Sequence, residues 1–270
     1  RQVDAIIHVV RCFQDSDIIH VDGEINPLRD IQTINLELIL SDLDIITKRL
    51  TKVQKLVKND KSLQKEVNVL EKLKAAFNNE ICARNVDLTD EEKEIVKAFE
   101  LLTFKPVLYA ANVSENDLVS GENNFVEQVK KFSEAENSRV FTVCAKIEEE
   151  ISELSDDEKK IFLEELGIAE TGLDKLIKAS YELLGLISFL TAGEKETRAW
   201  TITKGMKAPQ AAGKIHSDFE RGFIKAEVIT YDDLMESKSY TNAKANGLVR
   251  IEGKDYIVKD GDVIVFRFNV

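Results

Sequence analysis

Residues that carry thiol and metal chemistry are scarce. The 270 residues include three cysteines (Cys12, Cys82, Cys144) and three histidines (His8, His20, His216), all dispersed. An odd number of distant thiols implies neither a disulfide framework nor a thiolate metal site, so no metal ligands are expected, and a reducing, cytoplasmic setting is the simplest reading. No apolar run approaches the ~18 residues of a membrane span; the longest, Leu183 to Leu190, contains Gly185 and Ser188. Positive charge is in deficit, with 37 Lys+Arg against 49 Asp+Glu and a net charge of -12. Hydrophobic residues at 43% and charged residues at 32% exclude a disordered tail and leave material for one to three domains with a real core.

The chain starts at Arg1 and enters the run Val3-Asp4-Ala5-Ile6-Ile7-His8-Val9-Val10 at once. This aliphatic, β-branched run predicts a strand buried on both faces of a parallel sheet. No basic start, apolar stretch and cleavage site precede it. A central strand in that position is expected of a fragment whose natural beginning lies upstream.

From Pro27 to about Asn59 the pattern is helical. Leu36, Leu43, Leu50 and Val57 recur every seven residues, with Ile39, Ile46 and Val53 three further on. Leu63, Val67, Leu70, Leu73 and Phe77 form a second stripe after a polar turn. The two predict an antiparallel coiled-coil hairpin. Thr89-Asp90-Glu91-Glu92 reads as a capped first turn. Pro106 to Ala111 and Arg139 to Cys144 read as strands, with a helix from about Asn123 to Ala135 between them, the grammar of a parallel α/β sheet. Two helices are expected between Ser152 and Leu184. Beyond Gly185 the pattern becomes short strands (Leu186 to Thr191, Thr197 to Thr203, Phe223 to Thr230, Leu248 to Glu252, Val263 to Phe268) with one helix around Ala211 to Arg221, a small mixed α+β domain. Residues 186–270 carry a net charge of +1, so the acidity belongs to residues 1–185.

Chemistry concentrates where two strands end. Asn112-Val113-Ser114-Glu115 follows one, and Cys144-Ala145-Lys146 follows the next. In open α/β sheets ligands sit beyond the carboxyl ends of strands. GTP-binding P-loop proteins place Asn-Lys-x-Asp and Ser-Ala-Lys there to hold guanine. Here Glu115 replaces the Asp and Val113 the Lys, so the paired contact to guanine N–H donors is lost and adenine becomes admissible. The bland alternative is a helix-capping Asn beside a solvated Glu.

With those residues in hand, the chain resembles the YchF family, the Obg-like ATPases of the P-loop GTPase superclass. The resemblance rests on Val3 to Phe13, Asp22-Gly23-Glu24-Ile25-Asn26-Pro27-Leu28-Arg29-Asp30, Asn35-Leu36-Glu37-Leu38, the Asn112 to Glu115 signature, Ala145-Lys146-Ile147-Glu148, Thr197-Arg198-Ala199-Trp200-Thr201 and Ala211 to Phe219. It implies an α/β fold: an incomplete P-loop-type parallel sheet with an inserted antiparallel coiled-coil hairpin, plus a C-terminal β-grasp (TGS) domain. The expected division is G domain at 1–26 and 89–185, coiled coil at 27–88 and TGS domain at 186–270. It also implies ATP, with GTP disfavoured, and Mg²⁺ as cofactors of the parent protein, and the ribosome or ribosomal RNA as partner, with neither membrane nor DNA.

One departure decides the chemistry. No Gly-x-x-x-x-Gly-Lys-[Ser/Thr] occurs in the sequence, so the phosphate cradle and its lysine are not encoded here. The polypeptide is therefore expected to be inactive by itself, with no catalytic residue and no tightly bound cofactor. Its base pocket would comprise Asn112, Val113, Glu115, Ala145 and Lys146. The competing reading is a non-enzymatic adaptor that binds the ribosome or another protein with a vestigial nucleotide site.

Lys48, Arg49, Lys52, Lys55, Lys58 and Lys61 face only Asp60 over their interval, and Lys48, Lys52 and Lys55 share a helix face. They read either as a solvated surface or, with Lys204 and Lys207 among the early bases of the last domain (Lys195 to Lys225), as contacts to RNA phosphate. Trp200, Phe223 and His8 are expected to be packed, His216 to lie on a helix surface, Cys144 to be a buried inert thiol, and Asp4 to be a partly buried carboxylate in need of a partner. The acidic run Glu148-Glu149-Glu150 to Glu158 reads as solvated surface.

Overall fold

The computed structural model describes residues 2–15, 18, 23–193 and 196–269; His20, Asp22 and Lys195 lie outside the described residues. Two compact units divide the chain, Arg1–Ser180 and Tyr181–Val270.

In the first unit the order is β1 (Ile6–Arg11), α1 (Pro27–Leu56), α2 (Gln64–Asn78), α3 (Asp90–Lys97), β2 (Val107–Asn112), α4 (Glu115–Ser120), α5 (Asn124–Ala135), β3 (Arg139–Val143), α6 (Ala145–Ser152), α7 (Asp156–Leu166) and α8 (Gly172–Leu184), whose last residues belong to the second unit. The strands form a parallel sheet in the order β1-β2-β3. The register pairs Arg11 with Asn112 and Asn112 with Val143, so all three strands end at one level. β2 is the central strand and is buried along almost its whole length. Val10, Tyr109, Ala111, Val126 and Val129 form the core between the sheet and α5.

β1 departs from expectation. It is an edge strand of this sheet, and Ile7 and Val9 are 46% and 65% exposed because helices cover only the face carrying Val10 and Cys12. Asp4 precedes the strand and is exposed, so no buried carboxylate arises there. His8 packs as expected, its ring 5.5 Å from that of Tyr109.

Asn26 starts α1 by accepting the Arg29 N–H at 3.1 Å, with Pro27 at the first helical position. Ile39, Ile46, Leu50 and Val53 of α1 pack with Val67, Leu70, Leu73 and Phe77 of α2, and Arg49 clasps Glu66 across the pair at 2.5 Å. Leu36 is exposed, so the apolar stripe starts one turn later, at Ile39. The same core continues past residue 88 to Val96 and Leu101. The fully buried Asp42 joins α1 to that segment, accepting from the N–H of Leu102 (3.2 Å) and from the N–H and hydroxyl of Thr103 (2.7 and 2.8 Å). The capping box expected at Thr89 and Glu92 is present.

The second unit contains β4 (Leu186–Ala192), β5 (Thr197–Thr203), α9 (Ala208–Ile215), α10 (Ser217–Arg221), β6 (Phe223–Thr230), α11 (Tyr231–Ser237), α12 (Tyr240–Ala245), β7 (Arg250–Glu252) and β8 (Asp262–Phe268). Its mixed sheet runs β5-β4-β8-β6-β7, with β4 and β8 parallel and the other neighbours antiparallel. Phe189, Ile202, Ala211, Val228, Ile264 and Phe266 fill the core. The single helix expected at 211–221 is two helices. His216 breaks it with extended backbone (φ -158°), and its Nδ1 accepts the Asp218 N–H. α11 and α12, started by Thr230 and Ser239, have no counterpart in the sequence reading because each spans under two turns and carries little periodicity. Phe223 is buried, whereas Trp200 is half-buried, donating from Nε1 to Thr191 Oγ1 at 2.9 Å beneath the Arg198 guanidinium.

Among the described residues, no helix is long and apolar enough to cross a membrane, and no group of three His, Cys, Asp or Glu could hold a metal.

Candidate nucleotide-base site

The common ending of the three strands brings their exit loops together. Cys12 N–H donates to the Asn112 carbonyl at 2.7 Å, and Val113 N–H donates to the Val143 carbonyl at 2.9 Å. The Asn112 side chain crosses to the third loop, where its Oδ1 accepts the Ala145 N–H at 3.0 Å. One turn further out, Lys146 Nζ lies 2.5 Å from Glu115 Oε1. All five residues proposed from the sequence for the base pocket thus sit in two loops stapled to one another. The capping alternative moves by two residues: Ser114, not Asn112, starts α4, accepting the Asp117 N–H at 3.2 Å.

These loops wall a cleft of about 460 Å³. Asn112 to Asn116 form one side, Cys144, Ala145, Lys146 and Glu149 another, and Phe13, Gln14, Asp15 and Ile18 the third. The third wall was missed in the sequence, although the signal existed: it directly follows β1, as the Asn112 loop follows β2. Arg11 holds this wall, donating to the carbonyls of Phe13 (3.2 Å) and Ile18 (3.0 Å) with its guanidinium 4.7 Å from the Phe13 ring centre. Among the described residues, Phe13 is the one aromatic lining the cleft. Asn123 ties two walls by donating from Nδ2 to the Cys12 carbonyl (2.8 Å) and to Asp117 Oδ2 (2.9 Å).

The electrostatics follow from the ion pair. Hydrogen bonding to Glu115, and then its charge, hold the Lys146 ammonium pKa above its ordinary value, so the cation persists at any physiological pH. Glu115 in turn lines the cleft paired with that cation. Burial pushes the Cys12 thiol up to about 12, and Cys144 is likewise buried, so neither supplies a nucleophile. One expectation fails: Glu148 is not solvated surface but half-buried, accepting the Gly172 N–H at 2.6 Å and the Leu173 N–H at 3.3 Å.

Two of the proposed RNA-contacting lysines are already engaged, Lys48 with Asp44 at 2.6 Å and Lys207 with Asp255 at 2.7 Å. Lys52, Lys55 and Lys204 are exposed, with no ion pair among the described residues.

The chain is 57% identical over 273 residues to the ribosome-binding ATPase YchF of Bacillus subtilis, an alignment that takes in 100% of this chain and 74% of that protein. The chain belongs to the YchF family. The ribosome-binding ATPase YchF of Pasteurella multocida is 50% identical over 272 residues with the same coverage. A solved structure of the Schizosaccharomyces pombe YchF GTPase superposes with a TM-score of 0.86 at 34% identity, over 98% of this chain and 72% of that one. The YchF-GTPase_C family model, described as "Protein of unknown function (DUF933)", matches residues 186–269, nearly all of the second unit. The YchF resemblance carried by the motifs at 3–13, 112–115 and 145–148 therefore extends over the whole chain.

Proposed function

We propose that this chain supplies the purine-binding loops and ribosome-contacting surfaces of a cytoplasmic YchF-type ATPase. The carrying observation is the stapled pair of loops, Asn112 Oδ1 to Ala145 N–H and Lys146 to Glu115, walling one cleft with Phe13. Phe13 offers an aromatic face for a base, and aromatic–base stacking is worth roughly 1–3 kcal/mol. Guanine recognition needs a carboxylate directed at two N–H donors; Glu115 is instead held by Lys146, which favours adenine, and hence ATP over GTP. Asn112, Val113, Glu115, Ala145 and Lys146 form the base site.

Phosphate binding and hydrolysis need the glycine-rich cradle and the Mg²⁺-binding hydroxyl that residues 1–270 do not encode. The polypeptide by itself is therefore a weak ATP binder without hydrolase activity. α1 and α2 are read as the coiled-coil hairpin and the second unit as a TGS-type β-grasp domain. The names of the relatives support the ribosome as partner, and of the lysines proposed from the sequence for RNA phosphate, Lys52, Lys55 and Lys204 are exposed without an ion pair among the described residues.

Titration of the labelled chain with millimolar ATP and GTP, followed by amide NMR, tests the reading. ATP should shift Asn112, Val113, Ala145 and Lys146, with GTP weaker by about tenfold. Equal responses would refute the base preference, and silence at all four amides would refute the site.

A further inference from the structure

We propose that Glu148 is a positioning residue of the purine site, holding the 144–146 loop in place by tying α6 to the N-terminus of α8. The inference rests on the base-site reading above, and its main test needs no nucleotide.

α6 begins within the loop itself. Ala145, whose N–H is taken by Asn112, is its first residue, and the Glu148 N–H closes its first turn on the Cys144 carbonyl at 3.0 Å. The Glu148 side chain leaves α6 and accepts the first two N–H groups of α8, those of Gly172 and Leu173. The local cap of α8 leaves these first two N–H groups to the carboxylate. Thr171 already serves that end: its Oγ1 accepts the Asp174 N–H at 3.0 Å, and Asp174 receives the Thr171 hydroxyl at 2.8 Å. Glu148 therefore completes a helix start that Thr171 closes only in part, and does so from another element.

The fit at this junction is tight. A Cβ on Gly172 would lie 2.5 Å from Val143 Cγ2 and 2.9 Å from Glu148 Oε1. The glycine thus lets α8 abut both the last residue of β3 and the carboxylate. Beside Glu148 on the same face of α6, Ile147 and Ile151 are buried against Leu118, Leu163 and Ile168. Leu118 belongs to α4, whose first residue is Glu115. One face of α6 is thus held by both an apolar cluster and a carboxylate, which restrains Ala145 and Lys146 beside Asn112 and Glu115. Coupling of this kind is reciprocal: loosening either end must loosen the other.

Hydrogen exchange on the full 270-residue chain without nucleotide tests this. In Glu148→Ala, the Gly172 and Leu173 amides should exchange about tenfold faster, as expected for loss of a helix-end acceptor, and the Ala145 amide should accelerate with them. Glu148→Gln keeps an acceptor oxygen and should return Ala145 to within about twofold of the parent. Asn112→Ala should in turn accelerate Gly172 and Leu173. If Glu148→Ala accelerates only Gly172 and Leu173, the residue is a helix cap and the proposal falls. It falls equally if Asn112→Ala leaves α8 unchanged. ATP-induced shifts of Asn112, Ala145 and Lys146, recorded on the same samples, should weaken in Glu148→Ala and persist in Glu148→Gln. Absence of those shifts in the parent chain would remove the base-site reading while leaving the exchange coupling to stand or fall by itself.

Discussion

Glu227 offers a quantitative test of how the second unit is held together. Its carboxylate is buried in β6, where it accepts from Tyr240 Oη at 2.7 Å and from Arg267 Nε at 3.2 Å, with Lys244 at 3.7 Å. Hydrogen bonds from Arg267 and then Tyr240 hold its pKa down at about 2 from 4.5. At about 1.4 kcal/mol per pH unit, the whole shift would amount to about 3 kcal/mol. Arg267 is 52% exposed, so solvent screening reduces this to about 1–2 kcal/mol. Because the folded pKa lies below the unfolded one, the contribution is complete above about pH 5 and is lost as pH falls from about 4.5 through 2. Glu227→Gln preserves the shape and an acceptor for Tyr240 but removes the charge. The variant should be less stable by about 1–2 kcal/mol at pH 7, and by at most about two-fifths of that at pH 3. Urea unfolding followed by the fluorescence of Trp200, the single tryptophan, reports on this unit directly. A deficit that is the same at pH 7 and pH 3, or absent at pH 7, would refute the charge network as the source.

Three further outcomes are expected. Glu115→Asp shortens the carboxylate by one methylene, breaks the contact with Lys146 and frees an acceptor for guanine; the ATP-to-GTP response ratio by amide NMR should fall about tenfold, and an unchanged ratio would remove Glu115 from base selection. Asp42→Ala strands two backbone N–H groups and the Thr103 hydroxyl in a buried site, which should cost about 2–4 kcal/mol in circular-dichroism unfolding; a loss below about 1 kcal/mol would contradict the pinning role. Lys52→Glu with Lys55→Glu should weaken co-sedimentation with ribosomes and reduce its dependence on log salt concentration by about one per lysine. Lys48→Glu, already paired with Asp44, should have the smaller effect, and equal effects would argue against direct phosphate contact.

Much of the site was legible because it depends on short-range order. Asn112 and Ala145 follow apolar runs that can only be strands, and parallel strands of matched length end together, so their loops must meet. The long helices were equally plain from their periodicity, and Thr89 announced a helix start through local capping chemistry. Phe13, Gln14 and Asp15 escaped notice because nothing about their residue types marks a wall; only the register of β1 against β2 sets them beside Asn112.

The sequence by itself therefore determined the strands and the longer helices, where the strands end, and which residue types stand at those ends, since these follow from periodicity and steric preference along the chain. The tertiary structure alone decided which faces are covered and which charges find partners. It left Ile7 and Val9 exposed, took Glu148 out of an acidic run to hold α8, closed Lys146 onto Glu115, and engaged Lys207 with Asp255 while leaving Lys52, Lys55 and Lys204 without ion pairs among the described residues. Burial and pairing depend on residues distant in sequence, and no local pattern encodes which of them arrive.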